Sequence, residues 1–395
     1  MPAGTWRSIC MIYLFAELIA ACHGKSLALV SDVARHFQVT PAQASWVIGA
    51  VAVAAAIFAP IGGWMIDRVG ELRAIRIGLL IAMLCSFGGF LAPDFTTLIV
   101  LRLIEGVGYI AVVLGALALL IRTTEGARQT AALSLWSVAS PMGGALAIMA
   151  VSPLVGTDKW QWVFACHALL LFIAFWFTPL LPVAPPREIR RDPIAQSLAI
   201  YRFPAVRLFL GAILLVQIFK LGSGSALPTF LMTVHHVLPA WIGAISAISI
   251  ALSVAGGVLA GALFNRRGGA GWPAAIATIV SAMGAFILYA PVPTFVALSA
   301  MLISSISGGV MFAWITSSIP KITPDASRVG AAAGAVSQLL YLSMSIGPVL
   351  MFFILEQPSR LPLFAVITLS YGLPLAVIAL QRRSAIADAS SPLPA

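Results

Sequence analysis

Six ionisable side chains interrupt stretches of this chain that are otherwise apolar enough to cross a membrane. They are Glu17, His23 and Lys25 in the first stretch, Arg102 and Glu105 in the fourth, and Lys220 in the seventh. A charge in the hydrocarbon core costs several kcal/mol, so ionisable groups found there usually face a water-filled cavity or one another. We therefore take these six positions as the first candidates for chemistry.

Two of these positions could carry a proton. A carboxyl group in a poorly hydrated cavity can hold and release a proton near neutral pH, which makes Glu17 a candidate carrier. The alternative is that a neighbouring helix neutralises Glu17, which would then be purely structural. Arg102 and Glu105 are three residues apart and are neighbours on a helix. One interpretation is that they neutralise one another; the other makes Glu105, a second intramembrane carboxyl group, the second candidate carrier.

The composition indicates that a lipid bilayer surrounds most of the chain. Of its 395 residues, 61% are apolar and 9% are charged, whereas a soluble domain has about 25% charged residues. A spanning helix needs about 20 apolar residues. The sequence predicts an all-α membrane protein with twelve such helices, near residues 8–30, 42–66, 74–92, 95–121, 129–152, 161–181, 205–227, 240–264, 271–290, 293–319, 328–353 and 361–381.

The basic residues are distributed unequally between the two sides of the predicted membrane. With the N-terminus inside, the cytoplasmic segments hold 17 of the 23 basic residues: Arg7, Arg68, Arg73, Arg76, Arg122, Arg128, Arg187, Arg190, Arg191, Arg202, Arg207, Arg266, Arg267, Lys321, Arg328, Arg382 and Arg383. This is the positive-inside bias, so the net charge of +10 reflects orientation and no nucleic-acid partner is expected. We expect a multi-pass plasma membrane protein, in a bacterial inner membrane, with both termini cytoplasmic.

The longest polar interruption falls after the sixth span and divides the chain into two halves. We predict a six-helix bundle over residues 1–181, a cytoplasmic linker over 182–204, a second bundle over 205–383 and a disordered tail over 384–395. The halves echo each other, because Gly63-x-x-x-Asp67-Arg68-x-Gly70 is matched by Gly261-x-x-x-Asn265-Arg266-x-Gly268. The repetition indicates a duplicated six-helix unit.

The polar turn between the second and third spans has a recognisable pattern. Gly63-x-x-x-Asp67-Arg68-x-Gly70, followed three residues later by Arg73, resembles the loop between helices 2 and 3 of the major facilitator superfamily. The resemblance implies two pseudo-symmetric six-helix bundles that rock about a site near the bilayer midplane. It also implies a cytoplasmic gate formed by Gly63, Asp67, Arg68, Gly70 and Arg73. The alternative is an ordinary charged turn at a membrane surface.

The resemblance also assigns roles to the charges within the spans. Helices 1 and 7 of that family are pseudo-symmetry mates that line the pore, and superposing Trp46 on Trp241 brings Lys25 onto Lys220 to within a helical turn. Two lysines facing one cavity would form a cationic clamp for an anionic substrate. The alternative is that Lys25 extends to the membrane surface. Glu17 lies where several proton-linked drug exporters of the family have an acid. The resemblance also implies that Arg102 takes part in proton coupling together with Glu105.

Neutral polar groups complete the predicted substrate lining: His23, Gln217, Gln338 and Tyr341. For His23 the alternative is a hydrogen-bonded core residue. No metal site or other cofactor is expected, because His235-His236 has no Cys, Asp or Glu near it in sequence. The four cysteines have no C-x-x-C spacing, which favours buried free thiols over disulfides or zinc binding.

These observations support three functional hypotheses. No nucleophile–base set or phosphate-binding glycine loop is present, so an enzyme is not expected. The first hypothesis is a monomeric secondary transporter that moves a small organic anion by alternating access and couples it to protons through Glu17. The alternative is a proton-exchanging multidrug efflux pump for amphiphilic compounds, with the lysines incidental. The third is a non-transporting membrane sensor, against which the intact gate motif argues.

Overall fold

The computed structural model describes residues 5–183, 200–264, 270–322 and 329–390, except for the side chains of residues 60–64, 67, 127, 130–131, 134, 137–141, 320–321, 329–331, 333 and 382–390. Within these ranges the regular structure is helical. The α-helices are α1 Trp6–Leu27, α2 Val30–Phe37, α3 Pro41–Ala44, α4 Trp46–Val69, α5 Glu71–Phe90, α6 Phe95–Thr123, α7 Gly126–Val151, α8 Trp162–Phe177, α9 Pro204–Thr233, α10 Pro239–Phe264, α11 Gly271–Tyr289, α12 Thr294–Ile322, α13 Val329–Leu355 and α14 Leu361–Ser390.

Local sequence signals set several of these boundaries. The carboxylate of Asp94 accepts a hydrogen bond from the backbone N–H of Thr97 at 2.8 Å and caps the N-terminus of α6, satisfying a donor that the helix leaves free. At the turn between α4 and α5, Gly70 has φ +86°, a conformation that favours glycine because it has no Cβ. The polar turn predicted from the sequence is therefore where one helix ends and the next begins.

The fold class predicted from the sequence is confirmed. Twelve of the helices in the described ranges are long, and eleven of these are apolar and long enough to cross a membrane. The twelfth, α7, contains a shorter apolar segment, Met142–Leu154. The helix α14 continues to Ser390, into the tail for which the sequence analysis expected disorder. Its alanine-rich sequence favours helix. Residues 391–395, and most of the predicted linker, lie outside the described residues.

The two halves of the chain, α1–α8 and α9–α14, meet mainly through two pairs of helices, α4 with α13 and α7 with α10. A Cβ on Gly49 of α4 would lie 2.3 Å from the carbonyl oxygen of Ser345 in α13, and a Cβ on Gly243 of α10 would lie 2.6 Å from the Met149 side chain of α7. Small residues at these positions let the helices approach closely, as is common between membrane helices.

The apolar core joins the halves at one end of the molecule. At the end that holds Gly156, which we call the joined end, one cluster contains Val151 and Trp160 from the first half and Met351 and Leu363 from the second. At the end that holds Gly70, which we call the divided end, each half has its own cluster. The described core therefore closes the joined end and leaves the halves separate at the divided end.

Candidate functional site

Five of the six ionisable residues belong to the first half, and three of these five, Lys25, Arg102 and Glu105, form a buried ion cluster. The ammonium of Lys25 on α1 donates to Glu105 Oε1 at 2.9 Å and to Ser86 Oγ at 2.8 Å. Its third neighbour is His167 Nδ1 at 2.9 Å. The guanidinium of Arg102 pairs with the other carboxylate oxygen of Glu105. Both oxygens of Glu105 are thus bound to a cation.

Arg102 also ties the cluster to the backbone of two further helices. Its Nε donates to the carbonyl oxygen of Val47 on α4 at 2.8 Å, and one terminal nitrogen donates to the carbonyl oxygen of Cys22 on α1 at 2.6 Å. Each of the three guanidinium nitrogens thus donates to an acceptor in the protein, and such charge-assisted bonds favour the burial of arginine. The pair predicted from the i, i+3 spacing of Arg102 and Glu105 is therefore present, and it is shared with Lys25.

His167 on α8 is a member of the cluster that the sequence analysis missed. Its Nδ1 faces Lys25, and its Nε2 lies 3.0 Å from the carbonyl oxygen of Leu18. The available signal was a polar residue inside the apolar run Trp162–Phe177. The same criterion had selected His23, so consistent application of it would have identified His167.

The cluster is closed to solvent. Lys25 is 2% exposed and Glu105 is 0% exposed, and Arg102, Ser86 and His167 are also buried. The ring of Phe164 lies 4.5 Å from the Lys25 ammonium and 5.9 Å from the guanidinium carbon of Arg102, and such rings attract cations. A substrate in an open cavity could not reach Lys25 in this arrangement.

The structure therefore does not form the clamp expected from two lysines. The three polar partners of Lys25 all come from the first half of the chain, whereas the ammonium of Lys220 donates to the carbonyl oxygen of Gly308 on α12 at 3.3 Å. The physical reason is that Glu105, Ser86 and His167 of the first half already occupy the ammonium of Lys25. Nor does Lys25 extend to the membrane surface, the alternative weighed from the sequence.

Lys220 has the opposite environment. It is half-buried, and within the described ranges no carboxylate forms an ion pair with it. Gln217, one turn earlier on the same face of α9, is 7% exposed. Gly224, one turn later, is exposed, and a Cβ placed there would meet no heavy atom within 4 Å. This face of α9 therefore combines a cation, an amide and open space.

Glu17 lies on a different face of α1 from Lys25. Both of its carboxylate oxygens are buried and have no hydrogen-bond partner among the side chains and backbone that the structure describes. A Cβ on Gly143 of α7 would lie 2.5 Å from Oε2 of Glu17, so the carboxyl group packs directly against that helix. A buried acid without a donor or cation is costly as a carboxylate, which makes the protonated acid the favoured form here.

His23 and Tyr341 are linked through a residue that the sequence analysis did not select, Tyr109 on α6. The ring of His23 meets that of Tyr109 edge-on with centroids 4.8 Å apart, and Tyr109 meets Tyr341 of α13 at 6.3 Å. Both ring nitrogens of His23 are buried without a hydrogen-bond partner in the described chain. The aromatic series joins the two halves, because Tyr341 packs against the core cluster of the first half that contains Tyr109.

The remaining predicted residues lie nearer the divided end. Gln338 accepts a hydrogen bond from the hydroxyl of Tyr201 at 2.7 Å and is not part of the polar face around Lys220. Of the predicted gate residues, Arg68 and Arg73 are exposed. Gly63 and Asp67 belong to the backbone of α4, but their side-chain environment lies outside the described part, as does the repeated turn at 265–268.

Two further polar contacts secure the helix ends around Gly70. Glu71 at the start of α5 pairs with Arg122 at the end of α6. Arg76 donates from Nε to the hydroxyl oxygen of Thr178 at 2.9 Å. These contacts lie within the first half and hold its helices together at the divided end.

The buried cluster is not arranged as a metal centre. Cys22, Glu105 and His167 each offer an atom within 4.8 Å of the others. However, the ammonium of Lys25 is bonded to Glu105 and His167, so this group already contains its own cation. A second cation, Arg102, lies beside it, and the repulsion would disfavour a metal ion.

Comparison with known proteins is consistent across sequence and structure. A sequence model for the Major Facilitator Superfamily matches residues 10–348. The chain is 29% identical over 155 residues to the fatty acid resistance protein FarB of Neisseria gonorrhoeae, which covers 38% of this chain and 29% of FarB. It is 27% identical over 164 residues to the probable multidrug resistance protein EmrY of Escherichia coli K12, covering 40% of this chain and 30% of EmrY.

The chain thus spans less than a third of the length of either relative. In structure it is similar to a mutant of the peptide transporter POT crystallised in complex with sulfate, with a TM-score of 0.80 and 14% sequence identity over 97% of this chain and 96% of that one. At this identity the likeness concerns the fold alone.

Proposed function

Because the chain belongs to the Major Facilitator Superfamily and is therefore a membrane transporter, we propose that it is a secondary transporter of a small organic anion. The anion is moved by alternating access of one central site to the two sides of the membrane, and its movement is coupled to protons. Neither step requires an enzyme activity or a cofactor. We propose that the protein works as a monomer in the plasma membrane.

The observation that carries this proposal is the unpaired ammonium of Lys220. A cation within a membrane-spanning helix costs several kcal/mol unless water or a counter-ion reaches it. The structure gives this ammonium a carbonyl oxygen of Gly308 and no acid within the described ranges. An anionic substrate would supply the missing charge, and Gln217 on the same face would donate a hydrogen bond to it.

The proposed proton carrier is Glu17. Its carboxyl group is buried without a hydrogen-bond donor in the described chain, so the neutral acid is favoured when the joined end is closed. An opening movement of α7 away from α1 would admit water to the carboxyl group and release its proton. In this proposal the Arg-rich divided end faces the cytoplasm, following the positive-inside bias.

Counterflow in proteoliposomes tests the substrate class. Wild-type protein preloaded with an organic carboxylate should exchange it for labelled carboxylate, and Lys220→Met should abolish this exchange. Lys220→Arg is the matched variant, since it keeps the positive charge and should retain part of the exchange. Movement of organic cations only, or full anion exchange by Lys220→Met, would refute the proposal.

Coupling is tested separately with Glu17→Gln. This variant keeps the shape of the side chain and removes its titration, so it should lower accumulation driven by a pH difference while leaving exchange intact. Unchanged accumulation would place the proton carrier elsewhere. If neither anions nor cations move with the wild-type protein, a non-transporting sensor becomes the better description.

The second candidate function is proton-exchanging efflux of amphiphilic drugs. The similarity to EmrY favours it. Similarity to FarB is compatible with either function, because a fatty acid is both an anion and an amphiphile. Resistance of cells to cationic amphiphiles that does not depend on Lys220 would favour efflux, whereas resistance limited to anionic amphiphiles and lost in Lys220→Met would favour the first proposal.

A further inference from the structure

The buried cluster of the first half holds more positive than negative charge. Lys25 and Arg102 face one carboxylate, that of Glu105. His167 also contacts the lysine. Burying a net charge is unfavourable, so the loss of one proton would lower the electrostatic free energy of this cluster. The group that loses it must be a weak enough base, and arginine is not.

Hydrogen-bond directions identify the groups between which a proton can move. The carbonyl oxygen of Leu18 can only accept, so Nε2 of His167, 3.0 Å away, carries a hydrogen. Ser86 donates to the carbonyl oxygen of Phe164 at 2.9 Å and accepts from Lys25 at 2.8 Å. The remaining contact, 2.9 Å between Lys25 Nζ and His167 Nδ1, joins two bases through one hydrogen.

Two proton placements fit the same heavy-atom positions. In one, Lys25 is an ammonium and donates to the lone pair of Nδ1. In the other, the N–H bond at Nζ has broken and a new one has formed at Nδ1. Lys25 is then a neutral amine that keeps the electron pair, and His167 is an imidazolium. Every other hydrogen bond of the cluster is kept in both.

We propose that Lys25 and His167 form a proton-binding site that holds one shared proton beside the fixed Arg102–Glu105 ion pair and releases it during the transport cycle. This assigns a second transported proton to the first half, in addition to the one on Glu17. The assignment rests on the proposed function for its role in transport, but the proton-binding pair is a property of the protein itself.

The groups around the pair are consistent with a single removable proton. The titratable and charged groups facing it are Glu105 and Arg102 from α6, the thiols of Cys22 on α1 and Cys85 on α5, and the imidazole of His23. Among these the cluster has one acid that pairs with both cations. The neighbouring helix α4 contributes a carbonyl oxygen, that of Val47.

The pair is isolated from water in this arrangement, as an alternating-access proton site requires. Lys25 is 2% exposed and His167 is 4% exposed. The pair joins α1 to α8, while Ser86 and Glu105 bring in α5 and α6. Exchange of the proton with solvent therefore requires α1 or α8 to move relative to the other helices.

The transport test measures how many protons accompany each anion. At zero membrane potential and a pH difference of about one unit, two coupled protons sustain about hundredfold accumulation and one proton sustains about tenfold. Lys25→Arg keeps a buried cation that cannot be deprotonated. His167→Gln keeps an acceptor for Lys25 and a donor for Leu18. Both variants should fall from about hundredfold to about tenfold accumulation.

A substrate-free measurement separates this proposal from the proposed function. Purified protein without buffer is titrated between about pH 5 and pH 9, a range below the pKa of an ordinary lysine. Over this range the wild type should release about one proton per molecule more than Lys25→Arg. Lys159→Arg, at an exposed lysine, is the matched control and should release as many protons as the wild type.

The outcomes are distinguishable. If Lys25→Arg accumulates anion and releases protons like the wild type, the cluster is a fixed ion network and the proton-binding pair is refuted. If the wild type moves no anion but shows the additional proton release, the pair stands and the proposed function fails. Should Lys25→Arg not fold, His167→Gln provides the same comparison.

Discussion

Replacing Glu105 with glutamine tests how the first half tolerates its buried charges. In the wild type, one oxygen of Glu105 is paired with Lys25 at 2.9 Å and the other with Arg102. Glu105→Gln removes the negative charge and leaves two cations in a site that is 0–2% exposed. Removing one partner of a buried ion pair costs about 3–5 kcal/mol, and we expect a loss of stability of this size.

The double variant Lys25→Met/Glu105→Gln makes the test specific for charge. The single variant Lys25→Met leaves the Arg102–Glu105 pair neutral overall and should cost about 1–3 kcal/mol through the acceptors it leaves free. In the double variant one buried cation remains without its partner, compared with two in Glu105→Gln. Adding Lys25→Met to Glu105→Gln should therefore restore stability, although each change alone lowers it.

Unfolding in detergent micelles, followed by tryptophan fluorescence and ellipticity, provides the free energies for this double-mutant cycle. Glu125→Gln, at an exposed acid, is the matched control and should change stability by less than about 0.5 kcal/mol. The reasoning is refuted if Glu105→Gln costs less than about 1 kcal/mol, or if the costs of Lys25→Met and Glu105→Gln simply add.

Three further changes test other contacts. Gly222→Ala should cost about 1–3 kcal/mol, because its Cβ would lie 2.3 Å from the carbonyl oxygen of Gly347, whereas Gly224→Ala meets nothing within 4 Å and should be neutral. Burial raises the pKa of Asp32, so the contribution of this residue to stability is greatest in acid and is lost as the pH rises through the raised pKa. The difference in unfolding free energy between the wild type and Asp32→Asn, measured at several pH values, should therefore decrease as the pH rises. Glu356→Ala removes a 2.7 Å hydrogen bond from the backbone of α3. It should raise the ratio of molecules open to molecules closed at the joined end about fivefold, as measured by distances between spin labels on the two halves. Glu356→Gln is the control, and an unchanged distance distribution in Glu356→Ala would contradict a role for this bond in closure.

The sequence predicted the elements of this fold but not their contacts. Hydropathy placed the spans, and Gly70 marked the turn between α4 and α5, because both signals are local. The angle of about 80° between Glu17 and Lys25 around α1 follows from helix geometry, and the structure places these residues against different helices. Helix geometry does not predict from the sequence which helix lies opposite each residue, and therefore does not predict the partner of each charge.

The site around Lys25 shows why that information was missing. Ser86 and His167 are separated from Lys25 by 61 and 142 residues, and neither belongs to a motif. The internal repeat related Lys25 to Lys220 only to within a helical turn, which is enough to change the helix that a side chain faces. The expectation of a clamp therefore failed for Lys25 at the step from position on a helix to neighbour in space.

The two halves differ in how their intramembrane charges are satisfied, and the proposed function gives them different tasks. The charges of Lys25, Arg102 and Glu105 are bound to one another across several helices and are closed to solvent. In the proposed mechanism the first half therefore binds no ionic substrate and exchanges a proton. Lys220 in the second half has an acceptor oxygen and no described counter-ion. In the proposed function a substrate anion would stabilise this half, because it would pair a charge for which the described ranges hold no counter-ion. Proton binding in one half and anion binding in the other would then be linked through the interface between the halves, where Tyr109 contacts Tyr341.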